Sequence, residues 1–216
     1  MTQAHEEQLM GIRQAVLDGD MDNIQALVSS ALAEGLEPET ILSGSLTPAM
    51  AIVGDDYERG ERFVPEMLVA AETMKLALKI LQPLLKEDGV PPAGVVVIGT
   101  IEGDLHDIGK DLVAMMLEGA GFRVINLGID VSASTFVQAV QEHQADIIAM
   151  SALLTTTMVN MQGVIEALQE ASLRDTVRII VGGAPLSSDF AESIGADGYA
   201  ADAASAVRLA KTLLGK

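Results

Sequence analysis

The sequence predicts an α/β protein in which an N-terminal four-helix bundle precedes a doubly wound, five-stranded parallel sheet. Three observations predict it. Residues 6–87 repeat their apolar side chains at helical spacing. After a polar, proline-containing break, the rhythm changes to short apolar runs at 94–99, 122–126, 146–150 and 177–181, with a weaker one near 197–200. Between and after those runs lie amphipathic stretches at about 108–120, 133–143, 157–171, 187–194 and 202–214. Strands that alternate with helices imply right-handed βαβ crossovers and a parallel sheet covered on both faces.

The first half resolves into four helical segments. Leu9, Ile12, Val16 and Leu17 form one stripe, ended at Gly19-Asp20. Ile24, Leu27, Val28, Ala31 and Leu32 form a second, closed by Gly35. Pro38 sits near the start of a third that carries Ile41, Leu42, Leu46, Met50 and Val53. The fourth runs from Pro65 through Met67, Leu68, Ala71, Met74, Leu78 and Leu81. Proline at helix starts and glycine just past helix ends is the expected asymmetry, and short connections make the bundle antiparallel. Lys86-Glu87-Asp88-Gly89-Val90-Pro91-Pro92 reads as a linker, which places the domains at 1–90 and 91–216.

In the second half, unbroken apolar runs are what strands buried on both faces require. Five such units fit a flavodoxin-like (Rossmann-like) sheet, which gathers ligands at the carboxyl ends of its strands. Three loops there carry residues that a scaffold does not demand. Asp104, His106 and Gly109 follow the first run, Ser151 to Thr157 the third, and Gly182-Gly183-Ala184-Pro185 the fourth. An imidazole with a carboxylate two residues before it and a glycine three after it suits a metal site: a ligand, an acceptor that orients it, and room for something broad. Each loop also has a plainer reading. Asp107 can cap the next helix, His106 can be a solvated loop residue, and the glycines can make a tight turn.

Composition removes several function classes. Hydrophobic residues make up 49% and aromatics 3%, so the core is aliphatic. Lys plus Arg number 13 against 31 Asp plus Glu, a formal charge of -18, which argues against nucleic acid and anionic membranes as partners. The absence of cysteine excludes disulfides, thiolate metal sites and iron–sulfur clusters. No apolar run approaches the roughly 18 residues of a membrane span, and the polar N-terminus is no signal peptide. A cytoplasmic protein is expected.

Together the three loops form a spaced pattern. It resembles the cobalamin-binding module of methionine synthase, corrinoid methyl carriers and adenosylcobalamin mutases. That signature reads Asp-x-His-x-x-Gly, about 41 residues, Ser-x-Leu, about 26–28 residues, then Gly-Gly. Here 41 residues (110–150) separate Gly109 from Ser151, and 28 (154–181) separate Leu153 from Gly182. The resemblance implies a cobalamin cofactor whose cobalt takes His106 as lower axial ligand, in place of the cofactor's own dimethylbenzimidazole. Asp104 then accepts a hydrogen bond from the other ring nitrogen. Asp107 and Ile108 adjoin the corrin, and Gly109 lets it lie close to the backbone. Ser151, Leu153 and Thr155 line the displaced nucleotide tail, and Gly182 and Gly183 leave space for it. The family's proton-relay triad ends in a serine. This chain has Thr157 at that position, which keeps the hydroxyl and adds a methyl, so the implied relay is Asp104–His106–Thr157.

The resemblance extends to the helical half. Val53 to Glu66 and Ala70 to Lys75 look like the cap bundle of methionine synthase and small corrinoid carriers, with the linker as hinge. Tyr57 and Val64 match the aromatic and aliphatic residues that shield the upper face of the corrin, unless both are ordinary bundle core. The implied function is a non-catalytic corrinoid subunit that carries a methyl group between two methyltransferases. Its cofactor would take methylcobalamin, cob(I)alamin and cob(II)alamin states, and a reductive activase is a further implied partner. One partner is a substrate:corrinoid methyltransferase acting on a donor such as a methylamine, methanol or a methoxyaromatic. The other is a corrinoid:acceptor methyltransferase serving tetrahydrofolate or a thiol. The alternative is a cobalamin-dependent sensor without its DNA-binding domain. Against it, the N-terminal helices lack a basic face, and residues 38–85 contain no histidine to serve as an upper ligand.

Overall fold

Residues 3–87 and 91–216 are described by the computed structural model and form two units, Met1–Pro91 with Glu118–Gly121, and Pro92–Leu117 with Phe122–Lys216. Residues 88–90 of the expected linker, and with them the hinge reading, lie outside the described residues.

The first unit is helical: α1 (Gln3–Asp18), α2 (Ile24–Ala33), α3 (Pro38–Ile41), α4 (Thr47–Glu58) and α5 (Val64–Glu87). Ile12, Val16, Ile24, Val28, Ile41, Leu46, Val53, Met67, Met74 and Leu81 make its core. The third expected segment is one helical run whose middle, Leu42–Leu46, widens into a π turn. Pro48 explains the widening. A regular helix would have residue 48 donate to the Gly44 carbonyl, but proline has no N–H and its ring crowds that carbonyl. Thr47 N–H reaches back to Leu42 O instead, and Gly44 O takes a hydrogen bond from Arg13 Nη2 at 2.6 Å. An arginine from α1 thus satisfies the acceptor that Pro48 orphans. At the start of α5, the Glu66 carboxylate accepts the Phe63 N–H at 2.8 Å, one half of a capping box.

The second unit holds a wholly parallel sheet of β1 (Val95–Thr100), β2 (Arg123–Asn126), β3 (Ile147–Ser151), β4 (Arg178–Gly182) and β5 (Gly198–Ala200), in the order β2-β1-β3-β4-β5. Its helices are α6 (Ile108–Gly119), α7 (Ala133–His143), α8 (Thr155–Met158), α9 (Asn160–Glu170), α10 (Ser188–Ile194) and α11 (Ala203–Leu213). Strand residues alternate between two cores. Val97, Ile148, Ile179, Met150 and Val181 join Phe136, Val140, Val164, Ile165 and Leu168 from α7 and α9. The intervening Val96, Ile98, Ile147 and Ile180 are also buried. The expected helix over 157–171 is two helices, because the chain turns through Val159 between α8 and α9.

One register row matters most. Thr100 pairs with Ser151, Ser151 with Gly182, and Gly182 with Ala200. The last residues of four strands therefore lie side by side, and the loops that leave β1, β3 and β4 share one edge. Strand order reverses between β1 and β3, which opens the crevice where such sheets bind ligands.

Arg13→Ala leaves the Gly44 carbonyl without its donor, which should cost the apoprotein about 1–3 kcal/mol. Urea denaturation checks this, and an unchanged midpoint would remove the link between Arg13 and the π turn.

Candidate functional site

At the crevice, the β1–α6 loop turns sharply: Asp104 N–H donates to Ile101 O at 3.0 Å, which throws the Asp104 side chain inward. Its carboxylate is fully buried, yet it accepts five hydrogen bonds. Oδ1 takes the His106 backbone N–H at 3.1 Å and the ring Nδ1 at 2.6 Å. Oδ2 takes the N–H groups of Leu153 at 2.8 Å and Leu154 at 3.3 Å, and the Thr157 hydroxyl at 2.7 Å. Those last three donors come from the β3–α8 loop and α8, so one carboxylate bolts the two sides of the crevice together.

Burial pushes the Asp104 carboxyl up. The hydrogen bonds from Thr157, Leu153 and His106 outweigh it and hold the group well below the usual carboxylate range. Asp104 is therefore an ionised, acceptor-only group, which fixes the His106 tautomer with its proton on Nδ1. Nε2 is left with its lone pair, on a side chain half exposed to solvent.

The surroundings fit a broad, apolar ligand. Leu105 and Ile108 are 66% and 75% exposed, and Leu153 and Leu154 are exposed across the crevice. A Cβ built at Gly109 meets nothing within 4 Å, so nothing in the protein itself demands a glycine there. Among the described residues no three His, Cys, Asp or Glu side chains converge to hold a bare metal ion. A single imidazole suits a metal already chelated in a plane by its own cofactor.

The other expected residues sort as follows. Thr157 is buried, and its γ-methyl lies beside Gly103, in ordinary contact with a Cβ built there. The threonine thus fills space that serine would leave, and its branched Cβ restricts the hydroxyl's direction. Ser151 is half-buried at the end of β3, while Thr155 is exposed at the start of α8 and Asp107 is exposed on the β1–α6 loop. Gly182 lies half-buried on the shared register row. Gly183 has an internal reason as well as the expected one. At φ +131° its Cβ would stand 1.9 Å from Ala152 O, so glycine lets the β3 and β4 loops touch. In the helical unit Tyr57 is half-buried on α4 and Val64 is 36% exposed at the start of α5, so Val64 is not bundle core.

Three contributors were not expected from sequence. Leu154 acts through its backbone N–H alone, which no residue type announces. Thr100 Oγ1 donates to His106 O at 2.8 Å, but a threonine ending a strand is commonplace. Asp130, on the β2–α7 loop, accepts the Gly103 N–H on Oδ1 at 2.7 Å and donates its own N–H to Asp104 O at 3.1 Å.

Known proteins resemble this chain in sequence and fold. Residues 94–208 match one B12 binding domain family and residues 9–82 a second, helical one. A corrinoid protein of Desulfitobacterium hafniense (strain Y51) is 43% identical over 95% of this chain and 96% of its own. The trimethylamine corrinoid protein of Methanosarcina barkeri is 43% identical over 97% of each. Among solved structures, the methanol:cobalamin methyltransferase complex MtaBC of Methanosarcina barkeri matches with a TM-score of 0.86 at 28% identity, over 97% of this chain and 80% of that one.

Two outcomes follow from the buried carboxylate. Thr157→Val should destabilise the apoprotein by about 1–3 kcal/mol while Thr157→Ser costs less, as read by urea denaturation. A carboxyl held low in the fold gives stability that is full above its unfolded value near 4 and is lost as pH falls below it. Asp104→Asn should therefore flatten the acid limb of the apoprotein's stability profile, and an identical limb would contradict the assignment.

Proposed function

This chain belongs to the B12-binding protein family, and from that premise we propose that it is a corrinoid protein that presents a cobalt-bound methyl group to methyltransferases. The observation that carries the reading is the Asp104–His106 pair, which leaves one imidazole nitrogen free for a metal at the edge of an open apolar crevice. The corrinoid relatives support carriage, since the likeness runs along almost the full length of each chain.

When bound, the cobalamin supplies a cobalt atom able to accept a methyl group and give it up again. The protein's part is to hold and tune that centre. His106 Nε2 would hold the cobalt. Asp104 Oδ1, accepting from Nδ1, fixes the ring's plane. Thr157 and the Leu153 amide help to keep Asp104 ionised, which holds the imidazole proton on Nδ1. Exposed Leu105 and Ile108 give a corrin an apolar bed, and the bare edge at Gly109 lets it approach the backbone. Ser151, Leu153, Thr155, Gly182 and Gly183 would line the cofactor's tail, with Ser151 and Gly182 on the shared register row. Asp107 sits where a corrin side chain would pass. In the helical unit, Tyr57 and Val64 are the proposed shields of the methyl-bearing face. The partners we propose are a methyltransferase that loads the methyl group, a second that unloads it onto an acceptor, and a reductive activase. A methylamine or methanol is the proposed donor class, and the cytoplasm the proposed compartment.

The test is to reconstitute the protein with hydroxocobalamin, reduce it, and offer it to trimethylamine, dimethylamine and methanol methyltransferases. Methylation of the cobalt by one of them supports carriage, and failure with every donor enzyme tried would count against it. His106→Ala should keep the fold but give the spectrum of a water-ligated or base-off cobalamin, and an unaltered spectrum would exclude axial ligation. Gly109→Leu meets no protein atom near its Cβ, so the apoprotein should stay as stable. Its cobalamin affinity should drop about tenfold or more for a steric conflict of ~1–3 kcal/mol, and equilibrium dialysis measures this.

A further inference from the structure

The loop that carries His106 is tied down by groups outside the Asp–His–Thr relay. Asn160, at the start of α9, donates from Nδ2 to Glu102 O at 3.0 Å. Asp130 makes the reciprocal pair already described, one bond to Gly103 and one to Asp104. It does so in the left-handed region, at φ +54°, a conformation that aspartate and asparagine tolerate better than most residues.

The segment that holds Asp130 is itself fixed. Asn126 Oδ1 accepts from Gly128 N–H at 3.0 Å and from the buried Lys110 ammonium at 2.9 Å, and Asn126 Nδ2 donates to Asp111 at 2.9 Å. Thr100 N–H donates to Gly128 O at 3.0 Å, and Val131 N–H to Thr100 O at 2.9 Å. Residues 126–131 therefore form a strap anchored to β1 and to the first turn of α6, the two elements that bracket the His106 loop.

We propose that Asp130 is a positioning residue for the cobalt ligand, assisted by Asn160: together they fix the backbone of residues 102–104, so that His106 stands ready before the cofactor arrives. Neither residue touches the imidazole. The strap acts through the Asp104 backbone, which sets where the Asp104 carboxylate meets Nδ1. This inference rests on the cobalamin reading of His106.

Three substitutions separate the possibilities. Asp130→Asn keeps the left-handed preference and the Oδ1 acceptor. Asp130→Gly keeps the backbone conformation and removes the acceptor for Gly103 N–H. Asn160→Ala, at an exposed helix start, unties Glu102 from the other side. Each full-length protein is produced with ¹⁵N-labelled histidine, loaded with hydroxocobalamin and reduced to the cob(II)alamin form. Electron paramagnetic resonance then gives the fraction of cobalt bound to a histidine nitrogen, because the labelled nitrogen changes the superhyperfine pattern. Thermal unfolding of each apoprotein is recorded alongside.

The ratio of histidine-on to histidine-off cobalt should fall about tenfold in Asp130→Gly, the size of effect usual for losing a group that orients a metal ligand. It should stay near wild type in Asp130→Asn and fall about threefold in Asn160→Ala, for one hydrogen bond lost. A wild-type ratio in both Asp130→Gly and Asn160→Ala overturns the proposal. If Asp130→Gly fails to fold, the Asn160→Ala ratio decides alone. A wild-type protein without the labelled pattern would instead overturn the cobalamin-ligand reading itself, so the two failures are distinguishable.

Discussion

One buried carboxylate organises the binding edge of this protein. Asp104 has no contact with solvent, and a bare charge in such a place would be prohibitively unstable. It is sustained by donors from both sides of the crevice, and those donors in turn have positions only because Asp104 accepts from them. The dependence explains why the β3–α8 loop presents two backbone N–H groups and a hydroxyl to one oxygen. It also explains why α8 is a single turn, set off from α9 at Val159.

The sheet makes this convergence possible. A parallel, doubly wound order puts the ends of β1 and β3 next to each other, and the Thr100–Ser151 register sets the height at which their loops meet. A shift of either strand by one residue would turn its side chains to the opposite face and carry the Asp104 carboxylate away from Leu153. Because the carboxylate stays ionised, it imposes a tautomer on His106, and that tautomer decides which nitrogen can meet a metal. Strand register is thereby connected to the free imidazole nitrogen of His106 through a short chain of hydrogen bonds.

Much of this was legible in the sequence, for physical reasons. Strands buried on both faces leave uninterrupted apolar runs, so β1, β2, β3 and β4 were each placed to within a residue or so. The 41- and 28-residue separations are the lengths of chain that return to the same edge of the sheet, so they can be read as spacing alone. Other features leave no such trace. The π turn depends on Pro48, and the Gly44 carbonyl that Pro48 leaves without a partner is met by Arg13, 31 positions earlier in sequence than Gly44. Asp130 and Asn160 act on backbone groups distant in sequence, and nothing around them distinguishes them from ordinary loop and helix-start residues. Leu154 contributes an amide, which every residue but proline owns. Gly183 was legible as special, but its contact with Ala152 O emerges only once β3 and β4 lie side by side.

We propose that His106 reaches the cobalt through Nε2 while Nδ1 stays with Asp104. A crystal structure of the cobalamin-loaded protein measures this most directly. The expected result is Nε2 bound to cobalt, Asp104 still hydrogen-bonded to Nδ1 and Thr157, and the cofactor's benzimidazole displaced. Benzimidazole still on the metal, with the imidazole turned away, would contradict it.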